Sequence, residues 1–131
     1  MKFVGSMTQE NKELLLKDLC SRLPYNPMVE YKGETYNVLG ITHGRLVLCK
    51  PFMSYTLDEH PLVKEVKSCL FPMSSMTEEQ EDELIKFMDK DWHGMRYHTP
   101  DSIDWLNKNH FDYRCLIPKG LAIDCTNLNI Y

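Results

Sequence analysis

The residues best suited to chemistry lie together in the last third of the chain: Asn107, His110, Asp112, Tyr113 and Arg114. A carboxylate close to an imidazole can orient it for acid–base work. An arginine can hold a phosphate or a carboxylate through two parallel hydrogen bonds. The same residue types also build structural networks, in which the aspartate caps the next turn or pairs with the arginine. We favour the structural interpretation and keep a binding role for these five residues as the alternative.

Two histidines and two aspartates surround the predicted start of the third helix, and they are His93, His98, Asp101 and Asp104. Imidazole and carboxylate groups bind divalent metals, so a metal-dependent hydrolase is one hypothesis. A pair of loop histidines five residues apart is not a known ligand spacing, however. An aspartate in the first turn of a helix is also explained by the helix dipole. The sequence therefore predicts no metal and no other cofactor, with these four residues as weak metal candidates.

A reactive cysteine is a further possibility. Cys115 lies close to His110 in the sequence, and Cys49 follows a predicted strand. No nucleophile motif surrounds either thiol, and an active thiol needs an electropositive, partly exposed site. The chain also lacks a phosphate-binding Walker loop, a GxGxxG loop, an HExxH motif and zinc-finger spacing. The absence of these motifs favours a protein that is not an enzyme.

Two stretches carry residue types used in macromolecular recognition. The acidic run over residues 78–83 could imitate the phosphates of a nucleic acid, although a solvated helix face is the simpler interpretation. Aromatic and basic residues of the β region could stack single-stranded nucleic acid, although packing in the core is again simpler. This second set comprises Tyr31, Tyr36, Phe52 and Tyr55 with Lys32, Arg45 and Lys50.

The elements that must position these residues follow from capping and periodicity. Thr8 is a suitable N-cap for a first helix that reaches Leu23. Thr77 with Gln80 fits a capping box for a second helix ending near Asp89. Thr99 followed by Pro100 is a strong start signal for a third helix that ends near Asn109. In the first helix, leucines at three- and four-residue spacing make the apolar face, and Asp18 is expected to lie largely off it.

Strands occupy the region after the first helix. The Lys32-Gly33 and His43-Gly44 turns separate three alternating apolar runs, which predicts three antiparallel strands. Half of a small SH3-like barrel is one form that such a meander takes. Residues 63–71 are a further strand candidate, whereas residues 91–98 are expected to form a loop. We therefore predict an α+β fold whose small antiparallel sheet is covered by the N-terminal helix, with two helices in the C-terminal half.

The size, charge and cysteine content of the chain limit the classes of fold and function that it can have. The chain has 131 residues and a formal net charge of −4, which fits one domain and argues against broad binding to phosphate backbones. No apolar run is long enough to cross a membrane, and the first residues lack the apolar core of a signal peptide. Five widely spaced cysteines without a CxxC pair are typical of reduced thiols in a cytoplasmic protein.

Two stretches resemble known sequences. Residues 72–79, Pro-Met-Ser-Ser-Met-Thr-Glu-Glu, and residues 105–122 around Trp-Leu-Asn and His-Phe-Asp-Tyr-Arg are similar to small proteins carried by phages and prophages of gut anaerobic bacteria. Cys115 and Pro118 depart from that pattern, which has a glycine and a glutamate there. The resemblance implies a mobile-element origin and no particular activity.

These observations lead to three hypotheses about function. The first is a non-catalytic phage or mobile-element protein that binds a host or phage protein through residues 105–114. The second is a nucleic-acid-binding accessory protein that uses the β region. The third is the metal-dependent hydrolase. The sequence gives no partner and no oligomeric state.

Overall fold

A computed structural model of the protein describes residues 7–51 and 56–131. The expectations for residues 1–6, and for Phe52 and Tyr55, lie outside these described ranges. No helix in the described ranges combines the length and the apolar character needed to cross a membrane.

The first helix, α1, forms because its N-terminus is capped and one of its faces is apolar. It spans Gln9–Arg22, and the Thr8 hydroxyl accepts a hydrogen bond from the backbone N–H of Asn11. Leu15 and Leu19 on the buried face are fully inaccessible to solvent. Asp18 is also fully buried, which corrects the prediction that it lies off the packed face. The helix therefore carries a charge into the core.

Three antiparallel strands follow, as the sequence predicts. Strands β1 (Met28–Tyr31), β2 (Glu34–Thr42) and β3 (Arg45–Cys49) are joined by two-residue turns. In each turn the non-glycine residue has a positive φ, 51° at Lys32 and 53° at His43, and a glycine with positive φ follows it. This backbone matches the right-handed twist of the paired strands, which explains the Lys-Gly and His-Gly sequences.

Two further strands enlarge the sheet. Strand β4 (Lys67–Leu70) pairs antiparallel with β1, and it is shorter than the predicted strand because Val63–Glu65 forms a 3₁₀ turn. A later strand, Ala122–Asp124, pairs parallel with β4 at the edge. Numbered in chain order this strand is β7, and the sheet order is β3-β2-β1-β4-β7. The sheet is therefore mixed, with a single parallel pair among the described strands.

The C-terminal half holds the two predicted helices. Helix α2 spans Glu78–Phe87 and begins with the Thr77 and Gln80 capping box. Helix α3 spans Pro100–Lys108 and begins at Thr99. Between them, Asp89–Lys90 (β5) and Arg96–Tyr97 (β6) form an antiparallel hairpin. This hairpin corrects the prediction of a loop over residues 91–98.

The fold is α+β, with α1 packed on one face of the five-stranded sheet. Its main core lies between α1 and residues such as Val29, Leu48 and Leu70. A second core joins α2, α3 and Phe111. Cys69 and Cys125 belong to a third, smaller core with Met28. Phe71 packs against both smaller cores and so connects the helical layer to the sheet.

Candidate functional site

A buried charge network ties α1 to the segment after α3. The Arg22 guanidinium donates to both carboxylate oxygens of Asp18, at 3.0 and 3.1 Å, and both side chains are fully buried. It also donates to the backbone carbonyl of Phe111 at 2.6 Å. Arg114 donates to Asp18 at 2.7 Å and to the Ser21 hydroxyl at 3.2 Å. Asp18 therefore holds two guanidinium groups, one from its own helix and one from the opposite end of the sequence.

The other predicted site residues are engaged in the same segment. The Tyr113 hydroxyl donates to the Asn107 side chain at 2.8 Å, and its ring lies under the Arg114 guanidinium, 4.5 Å from the centroid. The Asp112 carboxylate accepts from the backbone N–H groups of Leu116 and Ile117, at 2.8 and 2.9 Å. Asp112 thus caps the following turn, one of the two structural roles expected of it.

His110 is the member of this group with an unusual environment. Its backbone is left-handed, with φ 63°, and its ring stacks on Tyr131 with 3.5 Å between centroids. Burial, with a smaller contribution from the nearby Arg22 charge, lowers the pKa of the His110 imidazole to about 4. The imidazole is therefore neutral at pH 7. Its Nδ1 is buried and has no hydrogen-bond partner among the described residues.

The structure thus brings the five predicted residues into one region but leaves little of them at the surface. Asn107, His110 and Asp112 are buried, while Tyr113 and Arg114 are partly exposed. The sequence pattern missed Asp18 and Arg22, which complete the network. Their four-residue spacing, with opposite charges on one helix face, was a signal for pairing. Their three-residue spacing from Leu15 and Leu19, respectively, was a signal that they share the buried face.

The four metal candidates are not brought together. Within residues 7–51 and 56–131, no three His, Cys, Asp or Glu side chains lie close enough to hold a metal ion. The His98 Nδ1 hydrogen-bonds with the Ser102 hydroxyl at 3.0 Å, and Asp104 accepts from the Tyr25 hydroxyl. The His93 ring lies against Trp92 instead, with 35° between the ring planes. Asp101 lies in the first turn of α3, where its negative charge interacts favourably with the helix dipole.

The aromatic residues of the β region are core residues where they are described. Tyr31 and Tyr36 are buried and pack against each other, with 6.3 Å between ring centroids. Two of the three basic residues are paired, Lys32 with Glu59 at 3.2 Å and Lys50 with Glu34 at 2.7 Å. Arg45 donates to the His60 carbonyl. The described aromatic residues of this set are thus packed in the core, which disfavours stacking with a nucleic acid.

The thiols divide into buried and exposed groups. Cys49, Cys69 and Cys125 are buried, whereas Cys20 and Cys115 are exposed. Burial raises the pKa of the Cys69 and Cys125 thiols to about 12, so both are protonated at neutral pH. Cys49 packs at the end of β3 and donates to the carbonyl of Lys50. The Cys69 and Cys125 thiols are therefore not activated as nucleophiles.

The most exposed apolar side chains lie elsewhere, on the hairpin between α2 and α3. Trp92 is 89% exposed, Met95 67% and Tyr97 50%. Phe87, at the root of the hairpin, is 42% exposed. Tryptophan usually lies largely buried, and exposed apolar patches in folded proteins tend to mark interaction sites. We call residues 89–97 the exposed hairpin.

Local hydrogen bonds hold the exposed hairpin in one conformation. The Asp91 carboxylate accepts from the backbone N–H groups of His93 and Met95, both at 2.9 Å. The Asp91 backbone N–H donates to the Met95 carbonyl, and Gly94 closes the turn with φ 83°. At the root, the Thr99 hydroxyl donates to the Phe87 carbonyl at 2.5 Å. Trp92 is thus displayed on an ordered turn that is fastened at both ends.

Comparisons with known proteins gave no match to a protein family, to a curated protein or to a solved structure.

Proposed function

We propose that the protein is a non-catalytic interaction module that binds another protein through the exposed hairpin. The observation that carries the proposal is the 89% exposure of Trp92 on an ordered turn. Tryptophan and tyrosine are enriched among the residues that dominate binding energy in protein interfaces. The surface is assigned to the hairpin and not to residues 105–114, because three of the five polar residues in that stretch are buried.

Preorganisation supports this assignment. Binding costs free energy when side chains and loops must be ordered at the interface, and a segment that is already ordered avoids part of that cost. Asp91 and Thr99 hold the turn and the root of the hairpin before any partner arrives. The contact between the Trp92 and His93 rings, with 3.6 Å between centroids and 35° between planes, further restricts the indole. The hairpin therefore presents an anchor whose conformation is set in advance.

The charges of the hairpin indicate the chemistry of the partner. Lys90 and Arg96 are directly opposite each other in the β5–β6 pair, so both side chains lie on one face. Both are exposed, and neither makes an ion pair with a described residue. Like charges opposite each other destabilise a hairpin in isolation. A partner with a carboxylate-rich rim around an apolar pocket would neutralise them and accept the indole.

A single-stranded nucleic acid is the competing occupant, because aromatic rings and cations also suit stacked bases. The neighbouring helix disfavours it. Five carboxylates of α2 are exposed immediately before the hairpin, and they are Glu78, Glu79, Glu81, Asp82 and Glu83. They repel phosphates. The exposed Met95 side chain adds apolar contact area that a protein pocket uses better than a phosphate backbone does.

The proposal also includes the setting. The similarity of residues 72–79 and 105–122 to proteins of phages and prophages suggests a mobile element that acts on a host or phage protein. Five widely spaced cysteines without a CxxC pair suit the reducing environment of a cytoplasm.

The test compares capture by three forms of the full chain. Immobilised wild type, Trp92→Ala and the control Leu39→Ala are exposed to a bacterial lysate; Leu39 is 55% exposed on β2, away from the hairpin. The partner should be captured by wild type and by Leu39→Ala and lost with Trp92→Ala. Each candidate is then purified and its affinity measured directly. Loss of a dominant anchor weakens binding by about thirtyfold or more.

Two further arms separate the occupants. The double reversal Lys90→Glu/Arg96→Glu should slow association with an acidic partner, and the loss should shrink as salt is added. Nuclease treatment and competition by a single-stranded oligonucleotide should leave capture unchanged. Competition by the oligonucleotide would show that the hairpin binds nucleic acid and not a protein. Equal capture by wild type and Trp92→Ala would show that the exposed hairpin is not the binding surface.

A further inference from the structure

A cleft on the opposite side of the sheet from α1 is independent of the exposed hairpin. It has a volume of about 470 Å³, within the range of small-molecule sites. It lies where the turn after α1, the end of α3 and the last residues of the chain meet on β1 and β2. Tyr25, Lys108 and Tyr131 line it from these three segments. A cleft built from segments so distant in the sequence exists only in the folded protein.

Side-chain amides dominate the polar lining of this cleft. The four amide residues of the lining are Asn26, Asn37, Gln80 and Asn109. The amides of Asn26 and Asn37 make no side-chain hydrogen bond within the described part of the chain, so their donors and acceptors are available. Asn26 also has a left-handed backbone, with φ 55°, a conformation that Asn tolerates better than most residues. Amide groups are the side chains that pair with the edges of bases, since each offers a donor and an acceptor side by side.

His110 contributes a second, independent observation. It lines the cleft, is 8% exposed, and its Nδ1 has no partner among the described residues. The His110 and Tyr131 rings both line the cleft and are stacked face to face, with 3.5 Å between centroids and 10° between planes. A planar heterocycle can extend such an aromatic stack, which a puckered sugar cannot do.

The charge of the lining sets the charge of the ligand. Lys108 lines the cleft at the end of α3 and makes no ion pair with any residue in the described ranges. No Asp or Glu side chain is among the described lining residues, and the acidic helix α2 contributes only Gln80. A ligand with one anionic group next to a neutral planar part therefore matches the site. A second recess of about 630 Å³ shares Asn26 and Asn37 with the first and extends the groove along the sheet.

From these features we propose that the cleft binds a nucleobase together with its phosphate. The base lies among the amides next to the stacked His110 and Tyr131 rings, and the phosphate forms an ion pair with the Lys108 ammonium. The ligand is either a free nucleoside monophosphate or one nucleotide of a single strand that continues into the adjoining recess. This site shares no residue with the exposed hairpin.

The experiment titrates the full chain with the 5′-monophosphates of adenosine, guanosine, cytidine and uridine by calorimetry, then with the nucleosides and with a trinucleotide of the preferred base. At least one monophosphate should bind. Lys108→Gln should weaken monophosphate binding by about tenfold, the effect of one charge-assisted contact, and leave the nucleoside unchanged. Asn37→Ala should weaken both ligands. Lys64→Gln, on the α1 side of the sheet, is the matched control and should bind as wild type does.

The relative affinities of the trinucleotide and the monophosphate show which form of the ligand the cleft binds. A trinucleotide that binds more tightly than the monomer assigns the site to a strand, and equal affinity assigns it to a free nucleotide. The proposal is overturned if neither the trinucleotide nor any of the four monophosphates binds at about 5 mM, a concentration that reveals even millimolar affinity. So does binding that Asn37→Ala and Lys108→Gln leave unchanged in folded protein. Trp92→Ala should not alter nucleotide affinity, so this test stands apart from the hairpin test.

Discussion

The Arg22 guanidinium donates a 2.6 Å hydrogen bond to the backbone carbonyl of Phe111, a residue 89 positions later in the chain. The same guanidinium is neutralised by Asp18 one turn earlier in its own helix. A buried charge of this kind fastens a helix in one orientation, because any rotation would leave it without its partners. Residues 107–114, which the sequence predicts to be the best suited to chemistry, are thus the segment that Arg22 holds against α1.

Removal of Asp18 should therefore be severe. Asp18→Ala leaves Arg22 buried without a counter-charge and also deprives Arg114 of its carboxylate, so the free energy of unfolding should fall by about 3–5 kcal/mol. Urea denaturation followed by circular dichroism measures this change. Glu13→Ala, on the exposed face of the same helix, should change stability by less than about 0.5 kcal/mol. Similar losses in the two variants would show that the network contributes little.

The turn after α3 depends on Asp112. Asp112→Ala leaves the backbone N–H groups of Leu116 and Ile117 without their acceptor and should lower the free energy of unfolding by about 1–3 kcal/mol. The measurement is the same urea titration. Lys119→Ala, exposed in the next turn, is the control and should be nearly neutral. A stable Asp112→Ala protein with altered binding would restore the functional interpretation of this residue.

Acid sensitivity should trace to His110. Its pKa is about 4 in the folded protein and near the ordinary 6.5 in the unfolded chain, so the unfolded state takes up the proton first. Above pH 6.5 the group does not affect stability. As the pH falls from about 6.5 to about 4 it should remove up to about 3 kcal/mol, with no further loss below that.

The pH effect is measured as a difference between proteins, because carboxylates titrate in the same range. His110→Asn keeps a residue that tolerates positive φ and should flatten the stability profile between pH 6.5 and 4 relative to wild type. His43→Asn, exposed and also left-handed with φ 53°, is the control and should keep the wild-type slope. Parallel profiles for wild type and His110→Asn would contradict the assignment.

The thiols should react in two groups. Cys20 and Cys115 are exposed and should be alkylated rapidly in native protein. Cys69 and Cys125, buried with pKa values of about 12, should react only after unfolding. Iodoacetamide labelling with peptide mass spectrometry distinguishes the two groups, and labelling in urea gives the full complement. Native labelling of Cys69 at the rate of Cys115 would mean that the third core opens readily.

Local signals account for the parts of the fold that were predictable. The caps at Thr8, Thr77 and Thr99 and the turns at Lys32-Gly33 and His43-Gly44 act within a few residues, so the sequence shows them directly. The hairpin after α2 was missed because Asp89, Lys90 and Arg96 are not typical strand residues. Its pairing comes from the Asp91 turn and from the Thr99 contact to Phe87.

The site was predictable as a composition and not as an arrangement. Asn107, Tyr113 and Arg114 do form a polar network, as the structural interpretation expected. The centre of that network is Asp18, and its position in the core depends on a contact with a segment nearly 100 residues away, which no local pattern records. The parallel pairing of β7 with β4 was hidden for the same reason.

The parallel β4–β7 pair and the Arg22–Phe111 bond have a consequence for synthesis on the ribosome. Helix α1 carries a charge network that acquires its last partner, Arg114, only after the intervening residues have been translated. Before residues 106–111 are made Arg22 has Asp18 alone, and before residues 122–124 are made β4 lacks its outer neighbour. Contacts between segments so far apart close slowly, so the nascent protein should reach its final packing late, when residues 106–124 leave the exit tunnel.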